Sequence, residues 1–169
     1  MRQKLKELIL SVGYWTYRTV RKPVQWYQKK FNIQTRGVRV LLIYQNNIVV
    51  VRHWYNSWWV LPGGGIKKNE TPEQAAVREL AEEVGVADVQ LEYQLGVYSN
   101  NKEGKNDTVY CFVAFLNAPF DSNKKFNIEI SDMKSVSIEE LPTGTSSATK
   151  ARIAEYLRKD ITKEIRPWS

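Results

Sequence analysis

The sequence predicts an α+β fold in which helices cover both faces of a mixed β-sheet, an α/β/α sandwich. Short runs of β-branched and apolar residues alternate with two helical patterns along residues 36–160. Strands that alternate with helices in this way form a sheet covered by helices. The 169 residues are 43% hydrophobic and 12% aromatic, which is enough apolar material for the core of one domain. We expect that domain to be preceded by an N-terminal amphipathic helix.

Residues 1–34 form a basic segment that differs from the domain we place at residues 35–169. Apolar side chains recur close to the spacing of an amphipathic helix over residues 3–20. They are Leu5, Leu8, Ile9, Val12, Trp15 and Val20. Residues 1–40 hold ten Lys and Arg but one acid, a charge of +9, while the remainder of the chain carries −2. The basic charge therefore belongs to the N-terminal segment.

The sequence leaves the partner of this basic segment open. We expect its apolar face to pack on the domain or on a second subunit, which would make a homodimer. The alternatives for residues 1–30 are an anionic membrane surface and a nucleic acid. The membrane alternative rests on basic residues such as Lys4, Lys6 and Arg18, together with the aromatic residues of the segment.

The first two strands of the domain are predicted at 38–43 and 48–51, where apolar and β-branched residues dominate. Gln45, Asn46 and Asn47 lie between these strands and predict a hairpin turn, because Asn tolerates positive φ. Three later strands are expected at about 89–98, 108–117 and 132–138, followed by a helix at about 146–159.

Residues 72–84 predict a helix with well-defined ends. Thr71 is a favourable N-cap, and Gln74 completes a capping box with it. Pro72 occupies the first helical position, where its missing N–H costs nothing. Gly85 is placed to end the helix in a left-handed conformation.

Three acidic residues of this helix, Glu79, Glu82 and Glu83, are spaced so that they project from one face. Like charges at this spacing repel, and hard cations such as Mg²⁺ would remove that cost by binding carboxylate oxygens. Arg78 lies four residues before Glu82 and is placed to orient or neutralise a carboxylate. The alternative interpretation is a solvated acidic face. The glycines at 63–65 favour the metal, because they let backbone approach a ligand closely.

The segment Gly64–Val86 resembles the signature of the Nudix hydrolase family, whose members include MutT-like enzymes. That signature reads G-x5-E-x7-R-E-U-x-E-E-x-G-U, where U is a bulky apolar residue. All nine specified positions match, namely Gly64, Glu70, Arg78, Glu79, Leu80, Glu82, Glu83, Gly85 and Val86. The preceding residues 59–64 are similar to the W-x-L-P-G-G lead-in of the family. The order of predicted elements over residues 36–160 agrees with that of the family, but only the signature Gly64–Val86, called the Nudix box below, is specific to it.

The resemblance implies roles for the matching residues. Glu79, Glu82 and Glu83 would bind metal, with the carbonyl of Gly64 as a further ligand and one carboxylate as the base. Arg78 would fix the carboxylates, and Glu70 would brace the loop. Glu129 is the candidate for an additional metal-binding acid, because Glu129-Ile130 and the later Glu139–Pro142 resemble a C-terminal pattern of the family. The alternative for Glu129 is an exposed loop acid.

The resemblance also implies a Mg²⁺-dependent hydrolase, with Mn²⁺ as a substitute, that cleaves a phosphoanhydride bond. The substrate would be a nucleoside diphosphate linked to another moiety, of the nucleotide sugar, ADP-ribose or nucleoside triphosphate type. One alternative is a pyrophosphohydrolase that acts on RNA 5′ ends, to which the basic segment would contribute. Another is a non-catalytic Nudix-like nucleotide-binding module. Enzymes of the family that act on ADP-ribose often have Pro where this chain has Lys102.

Residues before the box are candidates for contact with the substrate. Arg52, His53 and Trp58 could line a pocket in which an aromatic ring stacks on a base. The alternative is that the aromatic residues belong to the core and that His53, the only histidine, is structural.

The sequence features that bear on location favour the cytoplasm. Cys111 is the only cysteine, so no intrachain disulfide can form, and its apolar neighbours predict a buried thiol. No apolar stretch reaches the length of a membrane-spanning helix. The short apolar run 8–12 is not followed by a small-residue cleavage site, so a signal peptide is not indicated. A peripheral position at the membrane is the alternative that the basic segment leaves open.

Overall fold

The computed structural model describes residues 34–100, 106–122, 129–162 and 164–168. The amphipathic helix expected over residues 3–20 lies outside these ranges. The homodimer, membrane and nucleic-acid contacts assigned to residues 1–30 therefore stay predictions.

Six strands form one mixed sheet, in the order β5-β2-β1-β4-β3-β6. Their bounds are β1 Gln34–Tyr44, β2 Asn47–His53, β3 Leu91–Asn100, β4 Asn106–Phe115, β5 Ile130–Ser137 and β6 Ile165–Pro167. The central strand β1 runs parallel to β4 and antiparallel to β2. Residues 38 and 40–43 of β1 are all buried, as expected for a central strand that is covered on both faces.

Two helices cover the two faces of this sheet. Helix α1, Pro72–Val84, packs with Val38, Val40 and Leu42 of β1, whereas helix α2, Ser147–Leu157, packs with the alternate residues Leu41 and Ile43. Side chains alternate between the faces of a strand, so β1 supplies both cores. The predicted α+β sandwich with a mixed sheet is confirmed.

Helix α1 begins and ends where the sequence predicts. The Thr71 side chain accepts a hydrogen bond from the Gln74 backbone, and the Gln74 side chain accepts one from the Thr71 backbone. Gly85 adopts φ 70°, the left-handed conformation that glycine allows at low cost. The buried residues of α1 are Ala75, Ala76, Leu80 and Val84, together with one acid, Glu83.

The structure differs from the sequence predictions in the hairpin and at the C-terminal end. The positive φ of the β1–β2 turn falls on Gln45, at 52°, rather than on an Asn. Strand β6 was not predicted, because its three residues carry no local pattern. Tertiary contacts hold it instead: Arg166 pairs with Glu155 of α2 at 3.3 Å, and the Trp168 N–H donates to the Ser99 carbonyl of β3 at 2.7 Å.

The structure bears on two expectations from the sequence, the burial of the Cys111 thiol and the lack of a membrane-spanning helix. Cys111 is buried in the core next to α2, and burial raises the pKa of its thiol to about 12. Within the described ranges, no helix has the length and apolar character needed to cross a membrane.

We predict that Thr71→Ala destabilises the protein by about 1 kcal/mol, because an orphan N–H at the start of α1 loses its acceptor. Urea unfolding followed by circular dichroism measures the change. Thr71→Ser keeps the hydroxyl and is the matched control. Equal stability of Thr71→Ala and the wild-type protein would contradict a stabilising capping box.

Candidate active site

The glycine loop that precedes α1 lies directly against β1 and the acidic helix. The N–H of Val38 donates to the Gly64 carbonyl at 2.9 Å. A Cβ at Gly63, whose φ is 134°, would lie 2.3 Å from the Val38 carbonyl oxygen. A Cβ at Gly64 would lie 2.5 Å from Oε1 of Glu79. Glycine is therefore required at Gly63, where a Cβ would meet backbone, and the Gly64 backbone borders the carboxylate of Glu79.

The Arg78 guanidinium joins the glycine loop to the acidic face of α1. It donates from Nε and Nη2 to the two oxygens of Glu70, at 2.7 and 3.0 Å. Its Nη1 donates to Glu79 at 2.7 Å and to Glu82 at 3.1 Å. Its Nη2 also donates to the Gly65 carbonyl at 2.8 Å. A rigid, planar guanidinium is suited to this combination of carboxylate and backbone contacts.

Glu70 forms the bracing contact that the family resemblance implies. Besides its two bonds from Arg78, it accepts one from the Lys67 N–H at 2.8 Å. The hydrogen bond from Arg78, followed by that from the Lys67 backbone, lowers the pKa of Glu70 to about 2. The contact with Glu70 in turn raises the pKa of Arg78. Both groups therefore stay charged near neutral pH.

The two α1 carboxylates that share Arg78 with Glu70 differ in environment. Glu79 has a side chain that is only 12% exposed, and this burial raises its pKa although the Arg78 hydrogen bond opposes the shift. Glu82 is 46% exposed and has Lys67 as a second cationic partner at 3.4 Å. The repulsion between these acids is therefore offset in part by Arg78, as the sequence analysis expects, and by Lys67.

Glu83 points away from Arg78 and into the protein. Its Oε1 lies 2.9 Å from Nε2 of His53, and its Oε2 accepts the Gly63 N–H at 2.8 Å. Both side chains are almost completely buried. Glu83 thus lies on the same helix as Glu79 and Glu82 but has its own hydrogen-bond partners.

The remaining candidate residues lie around the end of β2 that carries His53. Glu129 is exposed, and its carbonyl accepts the Trp54 N–H at 3.1 Å, which places it beside this end. Arg52 pairs with Asp132 at 2.9 Å and lies over the Trp59 ring at 4.6 Å. Trp58 is 54% exposed in the loop that follows. His53 is buried against Glu83 rather than turned to solvent.

The oxygen donors beside Gly64 are of the chemical type that a hard cation binds. In the ranges that the structure describes, no three His, Cys, Asp or Glu side chains are gathered around one point. Glu79 and Glu82 nevertheless converge on a single positively charged nitrogen, Arg78 Nη1. The Gly64 backbone borders the same carboxylate where a Cβ would not fit. Carboxylate and carbonyl oxygens are the ligands that Mg²⁺ prefers.

Two parts of this site were not predicted from the sequence. The His53–Glu83 pair joins residues 30 positions apart, and no local pattern signals it. Arg39 of β1 donates to the carbonyls of Leu61, at 3.1 Å, and of Gly63. A charged residue within the apolar run 38–43 was the available signal, because a buried strand accepts such a side chain only when it has partners.

The NUDIX domain family model matches residues 33–157. The chain therefore belongs to the Nudix hydrolase family, as the complete box at Gly64–Val86 predicts. Over 59 residues it is 46% identical to diphosphoinositol polyphosphate phosphohydrolase 3-alpha of Mus musculus. That match covers 35% of this chain and 35% of the relative, so it spans about a third of the relative's length.

Solved structures share the fold at lower sequence identity. A NUDIX hydrolase from Nitrosomonas europaea superposes with a TM-score of 0.65 at 20% identity, covering 79% of this chain and 77% of its own. An ADP-ribose pyrophosphatase from Streptococcus suis superposes with a TM-score of 0.58 at 21% identity, covering 78% and 97%. These two likenesses support the fold and leave the substrate open.

We predict that Glu70 contributes pH-dependent stability. Its folded pKa of about 2 lies below the ordinary value of 4.5, so the contribution is present above about pH 4.5 and is lost as the pH falls towards 2. The difference in free energy of unfolding between the wild-type protein and Glu70→Gln should be constant near neutral pH and shrink over that acidic window. Urea titrations at a series of pH values measure it. A difference that does not change with pH would refute the assignment.

Proposed function

We propose that this protein is a Mg²⁺-dependent hydrolase that cleaves a phosphoanhydride bond in a nucleoside diphosphate linked to another moiety. Mn²⁺ is the expected substitute ion. The observation that carries the proposal is the convergence of Glu79 and Glu82 on Arg78 Nη1, beside the backbone of Gly64. Oxygen ligands next to accessible backbone suit a hard cation that also binds phosphate oxygens. The candidate substrates are nucleotide sugars, ADP-ribose and nucleoside triphosphates.

In this proposal Glu79, Glu82, Glu83 and the Gly64 carbonyl hold the metal, and Glu129 supplies a further carboxylate. The Gly64 carbonyl already accepts the Val38 N–H, and its second lone pair remains for a cation. A bound Mg²⁺ would supply Lewis-acid stabilisation of phosphate charge and a water of lowered pKa. The exposure of Glu82 and Glu129 at the protein surface is consistent with access by an anionic substrate.

The protein's own residues then act by positioning and proton transfer. Arg78 keeps Glu79 and Glu82 in fixed relative positions, and Glu70 keeps Arg78 in place. One carboxylate of the set accepts a proton as a water oxygen bonds to phosphorus. The bond between that phosphorus and the bridging oxygen breaks, and two phosphate-bearing products leave. No covalent intermediate with the enzyme is needed.

Arg52 and Trp58 are the side chains that we assign to the substrate beyond its diphosphate. Trp58 has an exposed indole that can stack on a base, and stacking of this kind tolerates different bases. Arg52 supplies positive charge and is held in place by Asp132 and Trp59. We assign His53 to Glu83 instead of the substrate, because it is buried against that carboxylate.

A second candidate function is removal of phosphate from RNA 5′ ends by the same chemistry. It is favoured by the charge of +9 on residues 1–40, against −2 on the remainder of the chain. Binding of a polyanion by such a segment would depend steeply on salt. The names of two similar proteins indicate hydrolysis of phosphate compounds but point to different substrates. One is called a diphosphoinositol polyphosphate phosphohydrolase and the other an ADP-ribose pyrophosphatase.

The experiment that tests the proposal is release of phosphate-bearing products from a panel of substrates with Mg²⁺ or Mn²⁺. The panel contains nucleotide sugars, ADP-ribose, nucleoside triphosphates and a 5′-triphosphate RNA. Turnover of a small nucleotide supports the main proposal, whereas turnover of the RNA alone, lost at high salt, supports the second candidate. Binding of nucleotides with no turnover of any compound would instead indicate a non-catalytic module.

We predict that Glu82→Gln lowers kcat on the cleaved substrate by roughly a hundredfold or more, because a carboxylate near the reacting phosphate is lost. The protein should stay folded, since Glu82 is about half exposed. Glu73→Gln removes an exposed acid from the first turn of the same helix and is the matched control. If both variants keep wild-type activity, the acidic face of α1 is not the catalytic centre.

We predict that Trp58→Ala raises KM by roughly fivefold or more, since base stacking contributes about 1–3 kcal/mol. Trp58→Phe should retain most of the affinity because it keeps an aromatic face. Steady-state kinetics on the substrate identified by the panel measures both. An unchanged KM in Trp58→Ala would remove Trp58 from the binding site.

A further inference from the structure

His53 and Glu83 form a buried polar pair at a position where the strand pattern favours an apolar residue. Val49 and Val51 precede His53 at alternate positions of β2, and both belong to the core beneath α1. His53 continues that series and is 5% exposed. Burial of a polar side chain costs free energy unless it is hydrogen-bonded, so a histidine here requires a partner. Glu83 provides it, at 2.9 Å.

The hydrogen bonds around this pair determine which nitrogen of His53 carries a proton. The Gly63 N–H donates to one oxygen of Glu83, and His53 Nε2 faces the other. A carboxylate can only accept hydrogen bonds. A hydrogen bond between the two side chains therefore requires a proton on Nε2 of His53. Each oxygen of Glu83 has one donor and keeps lone-pair capacity for a further partner.

The backbone around His53 also constrains its position. The pairing of β2 with β5 shifts in register between Arg52 and His53, which leaves Ser131 of β5 outside the ladder. The Ser131 hydroxyl donates to the Arg52 carbonyl at 2.8 Å. Bulges of this kind redirect strands and side chains next to active sites. The centre of the Tyr55 ring lies 5.0 Å from that of the His53 ring.

We propose that His53 is a positioning residue that fixes the carboxylate of Glu83 before a divalent cation binds. This inference rests on the proposed function, in which Glu83 is a metal ligand. Partners that orient a ligand lower the cost of assembling the site, and their removal weakens metal affinity by about 10- to 100-fold. Arg78 performs the corresponding task for Glu79 and Glu82.

The first test uses the metal-free protein and needs no substrate. Because the chain has one histidine, long-range ¹H–¹⁵N NMR correlations report on a single imidazole ring. A protonated Nε2 is the expected result. A neutral ring with a bare Nε2 and a proton on Nδ1 would overturn the proposal, because that Nε2 could not donate to Glu83.

The second test measures Mn²⁺ affinity of the full-length chain by electron paramagnetic resonance. His53→Leu removes the donor and should weaken Mn²⁺ binding by about 10- to 100-fold. His53→Gln can place an amide N–H near the position of Nε2 and should restore most of the affinity.

The outcomes separate this inference from the proposed function. Weaker Mn²⁺ binding in His53→Leu with rescue in His53→Gln supports the positioning role. Wild-type affinity in a folded His53→Leu, or equal weakening in both variants, overturns it. If His53→Leu does not fold, the affinity of His53→Gln and the NMR result decide. If the wild-type chain itself binds no Mn²⁺, the proposed function fails, and this inference fails with it.

Discussion

The contact on which the candidate site depends is the Arg78 guanidinium between the glycine loop and the acidic face of α1. It bonds to three carboxylates and one backbone carbonyl, so a single side chain fixes the loop, the helix and their charges relative to one another. Like charges three and four residues apart on a helix destabilise it. A fixed cation with several donors reduces this cost and keeps the carboxylates close together.

A second constraint comes from the backbone of the glycine loop. Gly63 approaches β1 at a distance that excludes a Cβ, and Gly64 lies directly beside the Glu79 carboxylate. The closeness of the loop is what lets the Gly63 N–H bond to Glu83 and brings the Gly64 backbone next to Glu79. Arg39 of β1 supports the same loop by donating hydrogen bonds to the backbone carbonyls of Leu61 and Gly63. Sheet, loop and helix therefore determine the site together.

The elements of the fold could be predicted from the sequence where the signal is local. Capping residues fix both ends of α1, and apolar runs locate β2, β3, β4 and β5 to within about two residues, whereas β1 begins four residues before the predicted position. Strand β6 could not be predicted, because contacts with Glu155 and Ser99 hold it rather than its own pattern. The box residues were likewise predictable from their fixed spacing. The partner of Glu83 was not, since it depends on how β2 lies against α1.

The central claim is that the acidic face of α1 binds a hard divalent cation. The most direct measurement is titration of the ¹⁵N-labelled protein with substoichiometric Mn²⁺, which broadens the NMR signals of amides near the bound ion. We expect the amides of Gly64, Gly65 and residues 78–83 to lose intensity first. Selective loss at other acidic positions, such as Asp88 and Glu92, or uniform loss across the protein, would contradict it.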